Sequence, residues 1–357
     1  MKKENQKNRG QVRGYLFEQI VCLLLEQNHC AMVQPDRFNK SRVRRVRENF
    51  IELKGRGGWH AIDCPFDYNR TLPFLYPVRL IGEVRYHQTT VTKDAIRNFI
   101  GVLRDIQENY FIDDSLTPEM VRERRMEIGV FFSVNGFQAE AERLAYSHGI
   151  RTISYKNNPI IQVIRDDIDA LESEYISYDL FAQKNTRFFL RDFDAMMSGA
   201  LAVQELVERY ELAVESRELF EHLYGAVCAI RSSIMATTNT GMVFHFLGNE
   251  EFPEELFAGT DVAVGHIYYQ NLKEENQIAY YLELEKDQRH RRFYFTPPEG
   301  LSEQAVYGLG APGDESQRDT GREIHMTLTL GGIQRNLTVM LDTDRISSEN
   351  GNLLAGL

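Results

Sequence analysis

Three short strand-like runs, the first two apolar enough to be buried, separated by two amphipathic stretches, limit most tightly what this chain can fold into. The runs are Val78 to Tyr86, Glu127 to Ser133 and Ile150 to Tyr155. Between the first two lies Lys93 to Gln107, with Ile96, Phe99, Ile100 and Leu103 at helical spacing. Between the last two lies the alanine-rich stretch Gln138 to His148, closed by Gly149 as a helix cap. A strand that is apolar on both faces must be covered on both faces. Strand–helix–strand order then predicts parallel crossover units. Upstream, residues 11–28 read as a helix with Leu16, Ile20, Leu23 and Leu24 as its stripe. Asn49 to Lys54 and Trp59 to Phe66 read as a hairpin around the turn Gly55-Arg56-Gly57-Gly58. Residues 67–77, with Pro73 and Pro77, read as a loop. The sum is an α/β unit, a mixed sheet flanked by helices, ending near residue 165.

The rest of the chain changes character twice. Residues 160–195 are acidic and read as a helical or irregular connector, and Ala200 to Ile230 reads as one long helix. From Gly241 onward, Met242–Leu247, Val262–Tyr269, Ile278–Leu284, Phe293–Phe295, Ile324–Leu330 and Ile333–Leu341 read as strands. Leu330-Gly331-Gly332-Ile333 is a tight hairpin signal. The domain reading is therefore 1–165, a helical connector over 166–234, and an antiparallel β domain over 235–347. Residues 309–321 read as a mobile loop and the tail after Ser347 as disordered.

A length of 357 residues fits two or three domains. No run reaches the ~18 apolar residues that a membrane helix needs, and the charged N-terminus lacks an apolar signal-peptide core. The four cysteines, Cys22, Cys30, Cys64 and Cys228, show no Cys-x-x-Cys spacing, which points away from zinc and disulfides and toward a reducing cytoplasm. The net charge of −11 hides an asymmetry. Residues 1–110 hold 19 Lys/Arg against 12 Asp/Glu; residues 111–357 hold 22 against 40. A basic front half joined to an acidic back half suits a nucleic-acid-contacting module with a different partner domain. Residues 37–49 concentrate Arg37, Lys40, Arg42, Arg44, Arg45 and Arg47, a density that suits phosphate contact or a solubilising loop or edge strand.

Two carboxylates, Asp63 and Glu83, each end a short apolar run, and Arg85 follows the second by two residues. Residues two apart on a strand share a face. Glu83 and Arg85 thus point the same way, with the Val84 carbonyl near the same edge. Two converging carboxylates and a cation can hold a divalent metal and steady a phosphate. Taken singly, Asp63 also reads as a turn cap, Glu83–Arg85 as a surface ion pair, and Glu18 on the first helix as a solvent-facing acid. Lys54, Arg56 and His60 cluster near the hairpin turn, and Lys93 stands at a helix entry.

These pieces together resemble the PD-(D/E)xK nucleases, and within them the Mrr-like restriction endonuclease domains. The matching pieces are Leu53-Lys54-Gly55-Arg56-Gly57, His60-Ala61-Ile62-Asp63, Pro77 to Glu83 and Ile96-Arg97-Asn98-Phe99-Ile100-Gly101. Gly129 to Ser133, Gly136-Phe137 and Gly149-Ile150 look like the later core of that family. The likeness covers roughly residues 10–160 and implies a restriction-endonuclease-like fold. It implies Mg²⁺ or Mn²⁺ held by Asp63, Glu83 and the Val84 carbonyl, with Glu18 as the first-helix acid that completes the site through water. It implies a metal-dependent DNA endonuclease in prokaryotic defence, contacting DNA through Lys54, Arg56, His60 and Lys93. It also implies a homo-oligomer or a partner defence subunit, because cutting two strands takes two sites. One position departs from the pattern: the family has Lys where this chain has Arg85. Arginine stays protonated and cannot act as a base, though its forked donors can stabilise a phosphorane-like charge. Lys93 or Lys54 could supply an ammonium instead. The rival expectations are a nuclease-derived DNA-binding or scaffolding subunit whose catalysis is lost at Arg85, and an RNA-cleaving variant. In the β domain, His245, His266, His290 and His325 are scattered. Arg289-His290-Arg291-Arg292 is a local basic patch, and Tyr268, Tyr269, Tyr280 and Tyr281 are candidate contact aromatics, residues that alternating strands also expose and bury routinely.

Overall fold

A computed structural model describes residues 2–47, 50–69, 75–109, 123–176, 186–272, 277–301, 323–330, 333–341 and 347–348. The chain opens with helix α1 (Lys2–Glu26), then β1 (Cys30–Met32), β2 (Val43–Arg47), β3 (Phe50–Lys54), β4 (Trp59–Ile62), β5 (Cys64–Tyr68) and β6 (Val78–Arg85). Helix α2 (Lys93–Glu108), β7 (Met126–Ser133), α3 (Ala139–Ser147) and β8 (Arg151–Ser154) follow. Five of these strands form one mixed sheet in the order β1-β5-β6-β7-β8. The pairs β6–β7 and β7–β8 are parallel, as the two crossover units require, while β1–β5 and β5–β6 are antiparallel.

Both faces of this sheet are covered. Val84, Val130, Phe132 and Ile153 pack toward α1, while Ile81 and Phe131 pack toward α2 and α3. Helix α2 forms where it does because Thr92 caps it, its hydroxyl accepting the Ala95 N–H, and because Ile96, Phe99, Leu103 and Ile106 line its buried stripe. Gly149 takes φ +70 after α3, the left-handed turn expected of a helix stop.

The hairpin expected over residues 49–66 is only half present. β3 and β4 pair, but with β2 they form a separate three-stranded sheet, β2-β3-β4. The chain leaves that sheet at Asp63, and Cys64 starts a strand of the other one. The single strand Trp59–Phe66 is therefore two strands meeting at a bend, which is how a chain turns the corner between sheets.

The helices after residue 158 join the same core. Pro159–Ala170, capped by the Asn158 side chain, buries Ile160, Ile161, Ile164 and Ile168 beside α1. The expected boundary at 165/166 falls inside this helix. Thr186–Met197 adds Phe189, Leu190 and Phe193 to that layer. The long helix expected over 200–230 is two helices, Val203–Arg209 and Ser216–Cys228. Between them Glu211 takes φ +49 and the Leu212 N–H folds back to the Val207 carbonyl, so Leu212 packs on the core rather than extending the helix.

The C-terminal strands close into a seven-stranded barrel. β9 (Ser232–Thr238), β10 (Val243–Gly248), β11 (Val262–Asn271), β12 (Ile278–Leu284), β13 (Phe293–Phe295), β14 (Glu323–Leu330) and β15 (Ile333–Leu341) run in the order β12-β13-β10-β9-β14-β15-β11, and β11 pairs back with β12. Among the seven barrel strands the expected antiparallel arrangement holds for every pair but β11–β15, which is parallel, as is the pairing of the short strand that follows; closure removes the free edges of an open sheet. A short β16 (Ser347–Ser348) adds to β11. Phe244, Phe246, Phe293 and Phe295 fill the interior with Ile324 and Val339. The loop expected over 309–321 and the tail from 349 lie outside the described residues. Among the described residues, no helix is long and apolar enough to cross a membrane.

Candidate functional site

Register brings Asp63 and Glu83 together. Cys64 pairs with Gly82 across β5 and β6, so the residues one step beyond, 63 and 83, face each other at the sheet corner. Gly82 makes this approach possible. A Cβ there would lie 2.7 Å from the Cys64 Cβ and 2.8 Å from its carbonyl oxygen. At the bend the Asp63 carboxylate accepts the Val84 N–H at 2.9 Å. The Arg85 guanidinium forms an ion pair with the Glu83 carboxylate, as their shared face predicts. Helix α1 lies across the same corner. Glu18 and Cys22, four residues apart, share a helix face. The Cys22 thiol sits 3.9 Å from the Asp63 carbonyl and 3.3 Å from the Cys64 sulfur.

The electrostatics identify this corner as short of positive charge. Burial raises the Glu83 carboxyl to about 7, and the neighbouring Asp63 pushes it the same way while Arg85 opposes. Asp63 is raised by burial against the opposing pull of the Val84 N–H and Arg85. Glu18 is raised well above the usual carboxylate range by burial, then by Asp63 and Glu83. Three acids with one guanidinium between them resist full ionisation together. His87, just beyond Arg85, is lowered by burial and then by Arg85 and Arg13.

Other candidates fall elsewhere. Lys93 pairs with Glu140 at 3.1 Å, joining α2 to α3. Lys54, Arg56 and His60 lie at the far end of the β3–β4 hairpin. His60 bonds Asp105 of α2 at 2.7 Å, and Arg56 reaches Glu108 at 3.5 Å. Lys54 stands near the Trp59 ring. Val84 meets the site through its N–H. Neither Lys93 nor Lys54 contacts an acid of the Asp63–Glu83 corner among the described residues.

Sequence reasoning missed Gly82 and the Cys22–Cys64 contact. A glycine inside an otherwise apolar strand was the available signal for the first. The thiols, 42 residues apart, carried none. It also missed the layer behind Arg85: the Tyr86 hydroxyl bonds Asp169 at 3.0 Å, and Arg13 bonds the same carboxylate at 3.0 Å.

The donor set suits a hard divalent cation, since carboxylate oxygens are its preferred ligands. The raised acids, chiefly an effect of burial and then of mutual repulsion, are what such a charge would relieve. Among the described residues, no three His, Cys, Asp or Glu side chains converge as a preformed metal cage.

No family model and no curated protein matches this chain. A solved structure described as a protein of unknown function, AF1548, aligns with a TM-score of 0.31 at 12% identity, covering 60% of this chain and 98% of its own. So slight a likeness shows neither fold nor function.

Proposed function

We propose that the N-terminal α/β unit is a restriction-endonuclease-like domain and that the chain is a metal-dependent DNA endonuclease. The observation that carries this reading is the corner where Asp63, anchored on the Val84 N–H, faces the Glu83–Arg85 pair under Glu18. Asp63 and Glu83, with the Val84 carbonyl, would hold Mg²⁺ or Mn²⁺. The ion supplies Lewis-acid polarisation of the scissile phosphate and a lowered pKa for the attacking water.

The chain's own residues do the rest. The Val84 N–H fixes the Asp63 carboxylate at the sheet corner, so one acid is positioned before substrate arrives. Arg85 is tied to Glu83 and presents a permanently charged fork toward the same edge, suited to the charge that builds on a phosphate in in-line displacement. It cannot remove a proton from water. Glu83, raised to about 7 chiefly by burial, is the acid that a cation at this corner would draw back into its charged form. Glu18 completes the acid cluster from α1. A cytoplasmic role in defence against foreign DNA, in a homo-oligomer or with a partner subunit, belongs to this reading through the family resemblance.

Supercoiled plasmid incubated with the full chain and Mg²⁺ or Mn²⁺, beside Asp63→Ala, tests the proposal. Nicking by the parent protein and none by the variant is expected. Equal background from both would sink it and leave the binding or scaffolding reading. Labelled RNA cut in preference to DNA would redirect it to RNA.

A further inference from the structure

The small β2-β3-β4 sheet has one face in the core and one in solvent. Ile51, Leu53 and Ile62 are buried. The opposite face presents Arg44, Glu52, Lys54, Trp59 and Ala61, because side chains alternate along each strand. Trp59 is the chain's sole tryptophan, and it is half-buried on an otherwise charged surface. The Arg44 guanidinium lies 4.3 Å from its ring centroid and the Lys54 ammonium 6.0 Å. Glu52 accepts from Arg44 at 2.6 Å and holds that guanidinium in place. Lys54 is exposed and has no carboxylate partner among the described residues.

Two further observations orient this face. Trp59 and Ala61 share that face of β4, and Asp63 follows two residues on at the bend into β5, so the indole and the Asp63 corner are at most about 13 Å of chain apart. Ala61 between them is exposed and small, leaving the path open. Residues 37–56 carry eight Lys/Arg against two Asp/Glu, a net of +6 in a chain whose total is −11. A polyanion is therefore drawn to this sheet and repelled by most of the rest.

We infer that this face is the track for a stretch of DNA strand with unpaired bases, Trp59 stacking one base while Arg44 and Lys54 hold the neighbouring phosphates. Aromatic stacking with flanking cations is how strands are held without reading base edges. The inference rests on the nuclease reading for the direction of the track, but the contact itself is measured without cleavage.

The test uses the full-length chain carrying Asp63→Ala, so that the strand stays intact, and a fluorescein-labelled oligo(dT) 20-mer. Emission from Trp59 is a reporter with one source. We expect oligo(dT) to quench it in step with the rise in anisotropy, and its duplex with oligo(dA) to bind more weakly. Trp59→Ala should weaken single-strand binding about tenfold and Trp59→Phe less. Lys54→Ala and Arg44→Gln should each lower the slope of log K against log salt by roughly 0.7. Unchanged emission at saturating oligo(dT), read on the chain with its tryptophan intact and so independent of any variant's folding, overturns the inference. So does a Trp59→Ala protein that binds as tightly as its parent, or tighter binding of oligo(rU). If oligo(dT) quenches Trp59 but the parent chain never nicks plasmid, the nuclease reading fails and the track stands. Nicking with no quenching sinks the track and leaves the nuclease reading standing.

Discussion

Two groups of buried charge in this molecule are built on opposite rules. In the barrel, Asp287 accepts two bonds of 2.9 Å from the Arg291 guanidinium and the backbone N–H groups of Arg289 and Arg291, and Glu255 binds the same guanidinium. The Arg291 guanidinium, together with those N–H groups, holds the Asp287 carboxyl down at about 2. At the sheet corner, Glu18, Asp63 and Glu83 share one guanidinium, and all three are raised. The first group is closed upon itself, each charge answered by a neighbour. The second is left with more acid than its one guanidinium answers. A carboxylate fully engaged by its own chain is a fastener; the crowded acids of the corner are the feature on which the proposed metal site rests.

The largest expected effect separates these groups directly. Asp63→Asn should cut plasmid nicking on the order of 10³-fold, yet leave the thermal midpoint unchanged or higher, because one of three repelling acids is neutral. Asp287→Asn should leave nicking alone and lower stability by about 3 kcal/mol in urea unfolding, since Arg291 stays buried with less to face. If both variants lost stability alike, the contrast would collapse. Next comes Gly82→Ala, whose methyl would meet Cys64. A loss of about 2 kcal/mol is expected, with nicking reduced beyond what that loss explains because strands β5 and β6 part at the corner.

A third expectation concerns His245, which is lowered to about 3 by burial. Its neutral form stays in the fold while an unfolded imidazole takes up a proton near 6.5. Its contribution is therefore complete above pH 6.5 and drains away as pH falls toward 3, about 2 kcal/mol by pH 5. Urea midpoints measured at pH 7.5 and pH 5 should show this loss, and His245→Gln should flatten it. The smallest effect sharpens the corner itself. Glu83 is raised from 4.5 to about 7, so its protonated form favours the fold below pH 4.5 and that advantage is lost as pH rises through 7. Mn²⁺ should raise the thermal midpoint by roughly 2–4 °C at pH 8, little at pH 5, and not at all in Asp63→Asn.

The crossover units were legible because β6 and β7 are rich in apolar residues, Ile150 and Ile153 mark β8, and two amphipathic helices lie between the three strands. The Glu83–Arg85 pair was legible from strand parity alone. The bend at Asp63 was not, because alternation continues through it from Ile62 to Cys64 and only the close packing of Gly82 on Cys64 reveals that the strand has changed sheets. β9 escaped notice because Ser232-Ser233-Ile234-Met235-Ala236-Thr237-Thr238 is small and hydroxylated, and it becomes a strand through its neighbours β10 and β14. Barrel closure rests on pairings between distant strands, including parallel β11–β15, for which no local pattern exists. Arg56 and His60 read as DNA contacts beside a turn; their partners in the fold, Glu108 and Asp105, come from a helix some 50 residues on.

The seam between barrel and sheet has a practical consequence. The Ser233 hydroxyl donates to the Leu24 carbonyl at the end of α1 and meets His245 at 2.8 Å, and His245 meets the Tyr155 hydroxyl at 2.8 Å. The Asn28 side chain accepts the Met235 N–H and donates to Ser233. A fragment trimmed near residue 230 would strip Tyr155 of His245 and Asn28 of Met235 and Ser233, leaving Asn28 only the Leu24 carbonyl, at a cost of about 1–3 kcal/mol for each group left unsatisfied. Anyone wishing to produce the first half alone should anticipate insoluble material. Gene fragments that end at that point cannot be treated as a self-contained folding unit.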